Sequence, residues 1–330
     1  MAKIICFGEI LLRLSPELNR KWIHDASMPV FIGGAELNVA TALAKWGQPV
    51  KYCTALPKNF LTLEICQELQ QKNIDTSAFV FAGNRIGLYY LPQGKDLKDA
   101  GVIYDRADSF FASLKPGMIN WDAALKDCEW FHFSAITPAL NEHLAAVCKE
   151  GLEAASAKGL TISVDLNYRS KLWQYGKQPA DVMPELVQHC DVIMGNIWAA
   201  ESLLAIPSSI KDSRGIAKDE LIKTAGESMK QIHLTYPMAQ SMAFTFRLHN
   251  SYFAVLQQGK EMAVSKEFSL SNIVSKIGSG DCFMAGLIYG LHNKQQPKDI
   301  VDFAAAAAAG KMKEAGDATN QTVEQIKSSY

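Results

Sequence analysis

A chain of 330 residues with 48% hydrophobic and 20% charged side chains can bury a substantial core, and its formal net charge of −1 gives no electrostatic case for nucleic acid or an acidic membrane as the main partner. The seven cysteines are odd in number, scattered and never spaced Cys-x-x-Cys, which argues against a disulfide framework or a zinc knuckle and points to a reducing compartment. The apolar run at 3–7 is too short for a signal peptide and no stretch approaches the roughly 20 apolar residues of a membrane span, so a cytoplasmic enzyme acting on a small molecule is expected.

In chain order, 3–7 reads as a buried first strand that feeds a loop at Gly8. Residues 10–32 lack helical periodicity and carry Pro16, Pro29, Trp22 and Phe31, as irregular strands do. Gly33 and Gly34 then make a turn that leads through Asn38 into an Ala/Leu-rich helix at 39–47, closed by Gly47. A strand at 51–55, a helix at 61–72 and extended segments at 85–91 and 102–106 follow, the last two separated by Gln93-Gly94-Lys95-Asp96.

From 129 onward strand and helix alternate: strand 130–136, helix 141–158, strand 161–166, helix 179–189, strand 192–195. That spacing implies parallel pairing with helices on both faces, an α/β fold. Further strands are expected at 242–248 and 252–256, then two helices, of which 300–314 contains the alanine run 304–309 and should pack tightly. Ligands of open parallel sheets bind beyond the carboxyl ends of the strands, where Gly8, Asn167, Asn196 and Gly278 would fall.

The stretch Gly278-Ser279-Gly280-Asp281 carries the chemistry. Flanking glycines let successive N–H groups turn toward one point, and Phe283, Met284, Leu287, Ile288 and Leu291 give a helical spacing directly after it. Gly286 and Gly290 thin one face of that helix for close packing. A loop at a helix N-terminus suits phosphate, and the same dipole is expected to keep Asp281 ionised near neutral pH. A carboxylate beside an anion hole can accept the proton of an attacking hydroxyl during phosphoryl transfer. The plainer alternative is a tight turn with an aspartate cap. A dinucleotide fingerprint is excluded because Phe283 stands where the third glycine belongs, and no Gly-Lys pair is followed by Ser or Thr as a Walker loop requires.

The longer string Gly-Ser-Gly-Asp-Cys-Phe-Met-Ala-Gly at 278–286 resembles the C-terminal signature of the ribokinase-like (PfkB) carbohydrate kinases, Gly-Ala-Gly-Asp-x-Phe-x-Ala-Gly, with Ser279 in place of alanine. Gly33-Gly34 followed by Asn38 and Ala40 resembles the N-terminal signature of the same family, and the two lie in family order. The resemblance implies a central, mostly parallel sheet flanked by helices, with a small β lid from segments near 10–32 and 84–106. It also implies Asp281 as catalytic base, Gly278, Ser279 and Gly280 as anion hole, and Gly33, Gly34 and Asn38 near the sugar. ATP and Mg2+ are the implied cofactors, and pairing of lids into a homodimer is a family habit.

Asp165-Leu166-Asn167-Tyr168-Arg169, completed by Leu172 and Trp173, and Tyr104-Asp105-Arg106 resemble the 2-keto-3-deoxygluconate kinase branch. By that resemblance Arg169 clamps a substrate carboxylate with its planar fork, and Tyr104, Arg106, Asn167 and one of the adjacent pair Tyr89 or Tyr90 line the pocket. Three places depart from the family pattern. Ser275 replaces an aspartate associated with a monovalent-cation site. The Asn-x-x-Glu of the metal and phosphate network has Ala199 where glutamate is expected, leaving Asn196 with Glu201. A Lys-x-Gly-x-x-Gly stretch near the nucleotide is missing around 234–241. The alternatives left open are a kinase of a neutral sugar or nucleoside, and a non-catalytic sugar-binding protein on the same scaffold.

Overall fold

The computed structural model describes residues 2–17, 22–24, 27–92 and 102–330. The segment Gln93-Gly94-Lys95-Asp96 therefore lies outside the described residues. The strands are β1 (Lys3–Phe7), β2 (Leu11–Leu14), β3 (Val30–Gly33), β4 (Val50–Leu56), β5 (Ile74–Phe81), β6 (Gly87–Tyr90), β7 (Ile103–Asp105), β8 (Cys128–Ser134), β9 (Thr161–Asp165), β10 (Val192–Gly195), β11 (Ser241–Arg247), β12 (Ser251–Gln258), β13 (Glu261–Val264) and β14 (Phe268–Ser269). The helices are α1 (Ala35–Lys45), α2 (Phe60–Gln71), α3 (Trp121–Ala124), α4 (Ile136–Ala139), α5 (Glu142–Ala157), α6 (Pro179–Val187), α7 (Ile197–Leu204), α8 (Lys218–Thr235), α9 (Ser279–His292), α10 (Pro297–Lys311) and α11 (Val323–Lys327).

The main sheet runs β13-β12-β11-β10-β9-β8-β1-β4-β5, with β14 added to β12. Every pair from β5 through β11 is parallel, and β12 to β14 close one side in antiparallel fashion. Because side chains alternate across a strand, β1 sends Ile4 and Cys6 into one core layer and Ile5 and Phe7 into the other. The first layer is covered by α1, α2, α9 and α10, the second by α5 to α8. Both faces are buried, which is why β10 reads as a continuous apolar run rather than an alternating one.

Helices α9 and α10 approach closely, as the small residues require. A methyl group on Gly286 would stand 2.6 Å from the Ala304 backbone, and one on Gly290 would stand 2.7 Å from Ile300. The alanines at 304–309 are all buried.

Several elements differ from the sequence reading, among them the short strands β13 and β14 and the short helices α3, α4 and α11, which it did not include. Helix α1 starts at Ala35, so Asn38 lies within its first turn rather than before it, and Gly34 with φ 146° is its N-terminal boundary. Strand β5 and helix α8 were not anticipated. The apolar positions of α8, Leu221, Ala225, Met229 and Ile232, are four, four and three apart on one face, but its mean hydropathy is diluted by charged neighbours.

A second sheet, in the order β3-β2-β6-β7, is built by the two segments read as lid pieces. It leaves the main sheet at Gly8 and returns through Gly33 into α1, so it stands over the carboxyl edge of the parallel strands. Buried Arg13 of β2 donates from Nε and Nη2 to Asp317 Oδ1 at 2.8 and 2.6 Å, and Tyr89 of β6 donates to Asp317 Oδ2 at 3.1 Å. The small sheet is thereby tied to the segment between α10 and α11.

Candidate active site

A cavity of about 430 Å³ opens where the carboxyl ends of β9, β10 and β11 meet the small sheet and the N-terminus of α9. Its wall includes Gly34 and Asn38 from α1 and its boundary, Tyr89, Tyr104 and Arg106 from the small sheet, Asn167 and Arg169 after β9, Asn196 after β10, and Gly278 to Asp281. Most residues expected from the sequence thus meet in one place, across 247 positions of chain from Gly34 to Asp281.

The α9 terminus is shaped by Gly278, which has φ 72°, a left-handed conformation that costs an L side chain roughly 1–2 kcal/mol. A side chain is excluded on a second count, since a Cβ would sit 1.8 Å from the Asp317 carbonyl oxygen. Ser279 N–H makes a long 3.4 Å bond to the Lys276 carbonyl, and Cys282 N–H bonds the Gly278 carbonyl at 2.8 Å. Between them, the Gly280 and Asp281 N–H groups have no acceptor among the described residues, and a Cβ on Gly280 would meet nothing within 4 Å. Uncommitted amides facing open space at a helix N-terminus suit an anion.

Asp281 is buried, and Asn38 Nδ2 donates to its Oδ2 at 2.7 Å. Burial raises its carboxyl to about 6, against the Asn38 hydrogen bond and the positive charges of Arg169 and Lys311, which favour the ionised form; the charge of Asp317 adds to the rise. Desolvation lifts the carboxyl well above its ordinary value, but not past neutral pH, so the expected ionisation of Asp281 stands. At pH 7 the group is still mostly ionised, yet basic enough to take a proton. The other face of the Asn38 amide, Oδ1, is buried without a partner among the described residues, so an acceptor waits beside Asp281 for an incoming hydroxyl.

The basic groups divide into occupied and open. Arg106 reaches the cavity, but its Nε and Nη2 donate to Glu9, which also accepts from Ser109 Oγ, so its charge is balanced inside the fold. Arg169, half-buried, donates Nη1 to the Tyr168 carbonyl at 3.1 Å and has no carboxylate partner within 4 Å among the described residues. Tyr89, not Tyr90, faces the cavity; Tyr90 stacks on Trp22 with ring centroids 6.3 Å apart.

Two expected residues lie elsewhere. Gly33 is outside the cavity wall, ending β3 where a Cβ would press 2.7 Å from Asp317 Oδ2. Glu201 is also outside: Trp198, Ala199 and Ser202 take the cavity face of α7, and Glu201, off that face, pairs with Lys211 at 2.6 Å. Asn196 caps α7 by accepting from the Ala199 N–H at 2.9 Å, which leaves its amide nitrogen as a donor toward the cavity. Residues the sequence reading missed are Asp317, Arg13, Glu9 and Lys311, together with Thr245, Arg247, Tyr252 and Lys276 on the cavity wall. Their signal is tertiary. Only the Gly316-Asp317 turn pattern hints at a special backbone there.

The fold defines the class, an α/β architecture of ribokinase-like kind, with uncommitted amides at a helix N-terminus facing a polar cleft under a small sheet. The chain belongs to the pfkB family of carbohydrate kinases, whose description matches residues 1–323. A crystal structure of 2-dehydro-3-deoxygluconokinase from Thermotoga maritima superimposes with a TM-score of 0.88, 31% identity and 99% coverage of both chains. A 2-dehydro-3-deoxygalactonokinase of Haloferax volcanii is 28% identical over 98% of this chain and 95% of its own length. A 5-dehydro-2-deoxygluconokinase of Geobacillus thermodenitrificans is 24% identical over 92% of this chain and 86% of its own. No helix among the described residues is long and apolar enough to cross a membrane.

Proposed function

We propose that this kinase transfers the γ-phosphoryl group of ATP to a hydroxymethyl oxygen of a keto-deoxy sugar acid, with 2-keto-3-deoxygluconate as the leading substrate. The observation that carries the reading is the presence, in one cavity, of a buried carboxylate poised near 6 and a guanidinium without a carboxylate partner, Asp281 and Arg169. A neutral sugar has no use for the second. The names of the three relatives share this chemistry, since each describes a dehydro-deoxy sugar acid.

In the proposed reaction Arg169 holds the substrate carboxylate, and Asn38 Oδ1 accepts from a substrate hydroxyl. Asp281 takes the proton of the attacking hydroxyl as its oxygen bonds to phosphorus, the bond to the ADP oxygen breaks, and ADP leaves. The Gly280 and Asp281 amides and the Asn196 amide nitrogen receive the negative oxygens of the moving group. No trio of His, Cys, Asp or Glu among the described residues suits a metal ion, so Mg2+ would be held chiefly by the nucleotide phosphates, where it supplies charge neutralisation. Folding of the small sheet over the cleft would exclude water, which could otherwise accept the phosphoryl group.

An ADP-release assay with ATP and Mg2+ over a panel of keto-deoxy sugar acids and neutral sugars tests the reading. The expected result is the highest kcat/KM with a sugar acid, and the panel also separates the gluconate from the galactonate epimer. A higher kcat/KM for fructose or ribose would overturn the acid assignment. Sugar binding without any nucleotide binding would favour a non-catalytic role.

A further inference from the structure

Lys311, at the end of α10, is fully buried, among the largest side chains wholly removed from water. Its one hydrogen bond among the described residues runs from Nζ to the Glu314 carbonyl at a long 3.4 Å, and no carboxylate pairs with it at ion-pair distance. Burying a cation with so little compensation is unfavourable, and a methionine would fill the space without that penalty. The charge therefore needs a reason.

Its position supplies one. Lys311 Cε lies 3.5 Å from where a Cβ on Gly278 would stand, against the loop that opens α9, and Lys311 is not among the residues lining the cavity. The charged groups that bear on the ammonium are Glu314, Asp317 and Asp281, with the thiol of Cys282, pushed up by burial, remaining neutral beside it, and Lys311 in turn favours the ionised form of Asp281. Burial lowers the amine below the ordinary lysine value while the carboxylates oppose that fall.

We infer that Lys311 is a positioning residue of phosphoryl transfer, a fixed internal cation that adds positive potential to a cradle otherwise made of backbone dipoles. Helix amides carry only partial charges, and a full charge held in a low-dielectric layer beside them strengthens their pull on negative charge that develops on the phosphoryl oxygens. The same field holds Asp281 ionised against its own desolvation. This inference rests on the kinase reading.

The test uses the full chain with Lys311→Met, which keeps the volume and removes the charge, and Lys311→Ala, which leaves a space that methylammonium can enter. Thermal unfolding establishes that each variant is folded. Asp281 is faced by Asn38 and Glu36 from α1, Asp165 from β9, Arg169 from the loop after it, Asp317, Lys311 and its helix neighbour Cys282. Of these only Lys311 is altered. The expected result in Lys311→Met is a kcat loss on the order of tenfold, below the ~10²–10³ of a direct oxyanion donor, with sugar KM little changed. The acid limb of its kcat profile moves to higher pH. Methylammonium restores rate to Lys311→Ala and leaves the wild type unaffected. A folded Lys311→Met with wild-type kcat and acid limb overturns the inference and leaves the kinase reading intact. If the methionine variant does not fold, an alanine variant that methylammonium fails to rescue overturns it equally. Absence of turnover by the wild type with every sugar and sugar acid overturns both.

Discussion

Gly278 and Gly280 sit two residues apart in the same cradle, and the structure assigns opposite consequences to a methyl group on each. At Gly278 an added Cβ meets φ 72° and a carbonyl oxygen 1.8 Å away. The left-handed conformation contributes about 1–2 kcal/mol against alanine, and forcing an atom into packed structure adds a further 1–3 or so. Gly278→Ala should therefore destabilise by several kcal/mol, lower Tm by several degrees, and push the 311–317 segment away from the loop. Displacing the cradle by about 1 Å should reduce kcat about 10²-fold. Gly280 has helical backbone and open space around its Cβ direction, so Gly280→Ala should leave stability unchanged or raised by up to ~1 kcal/mol. Its methyl group would point at the place the phosphate must occupy, and turnover should still fall. Thermal melts paired with ADP-release kinetics read both quantities. A stable, fully active Gly280→Ala would refute the argument that these amides receive the phosphoryl group.

Four further outcomes follow from the same geometry. Because Asp281 must be ionised to act as base, kcat should fall as pH drops through about 6, and a pH profile flat through that range would remove it as the titrating group. The linkage runs the other way for stability: a carboxyl raised from an ordinary 3.8 to about 6 weakens the fold above pH 6, and the penalty fades as pH falls toward 4. Asp281→Asn should accordingly melt higher than wild type at pH 7.5 by the equivalent of ~3 kcal/mol, with the gain shrinking toward pH 4 in differential scanning calorimetry. Arg169→Met should raise KM for a sugar acid roughly 10- to 100-fold with a smaller change in kcat, the worth of a charge-assisted pair, and an unchanged KM would show that the carboxylate is held elsewhere. Asp317→Ala leaves Arg13 buried and unpaired and should destabilise by about 3–5 kcal/mol in urea unfolding, whereas Arg13→Met with Asp317→Asn should recover part of that loss.

The parts of the site legible in the sequence are those whose chemistry is local. An anion hole is made by consecutive backbone groups, so Gly278-Ser279-Gly280-Asp281 declares itself within four residues, and Gly34 with Asn38 does so within five. The alternation after residue 129 likewise gives the parallel sheet, because each strand is buried on both faces whatever its neighbours are. What stayed hidden depends on pairings over long separations. Arg13 meets Asp317 across 304 positions and Arg106 meets Glu9 across 97, so no window of sequence shows that one arginine near the cleft is neutralised and another is left open. Glu201 was misplaced for a related reason: a spacing pattern fixes its turn of helix but not which side faces the cavity. The titration of Asp281 shows the limit most plainly, since the helix terminus is visible in the string of letters, whereas the desolvation that raises its carboxyl to about 6 exists only once the surrounding elements have packed.

The most direct test of the account is single-turnover phosphorylation of 2-keto-3-deoxygluconate by Asp281→Asn under saturating ATP and Mg2+. Loss of a general base predicts a rate lower by roughly 10²–10⁴-fold with sugar and nucleotide still bound. A rate within a few fold of wild type would contradict it.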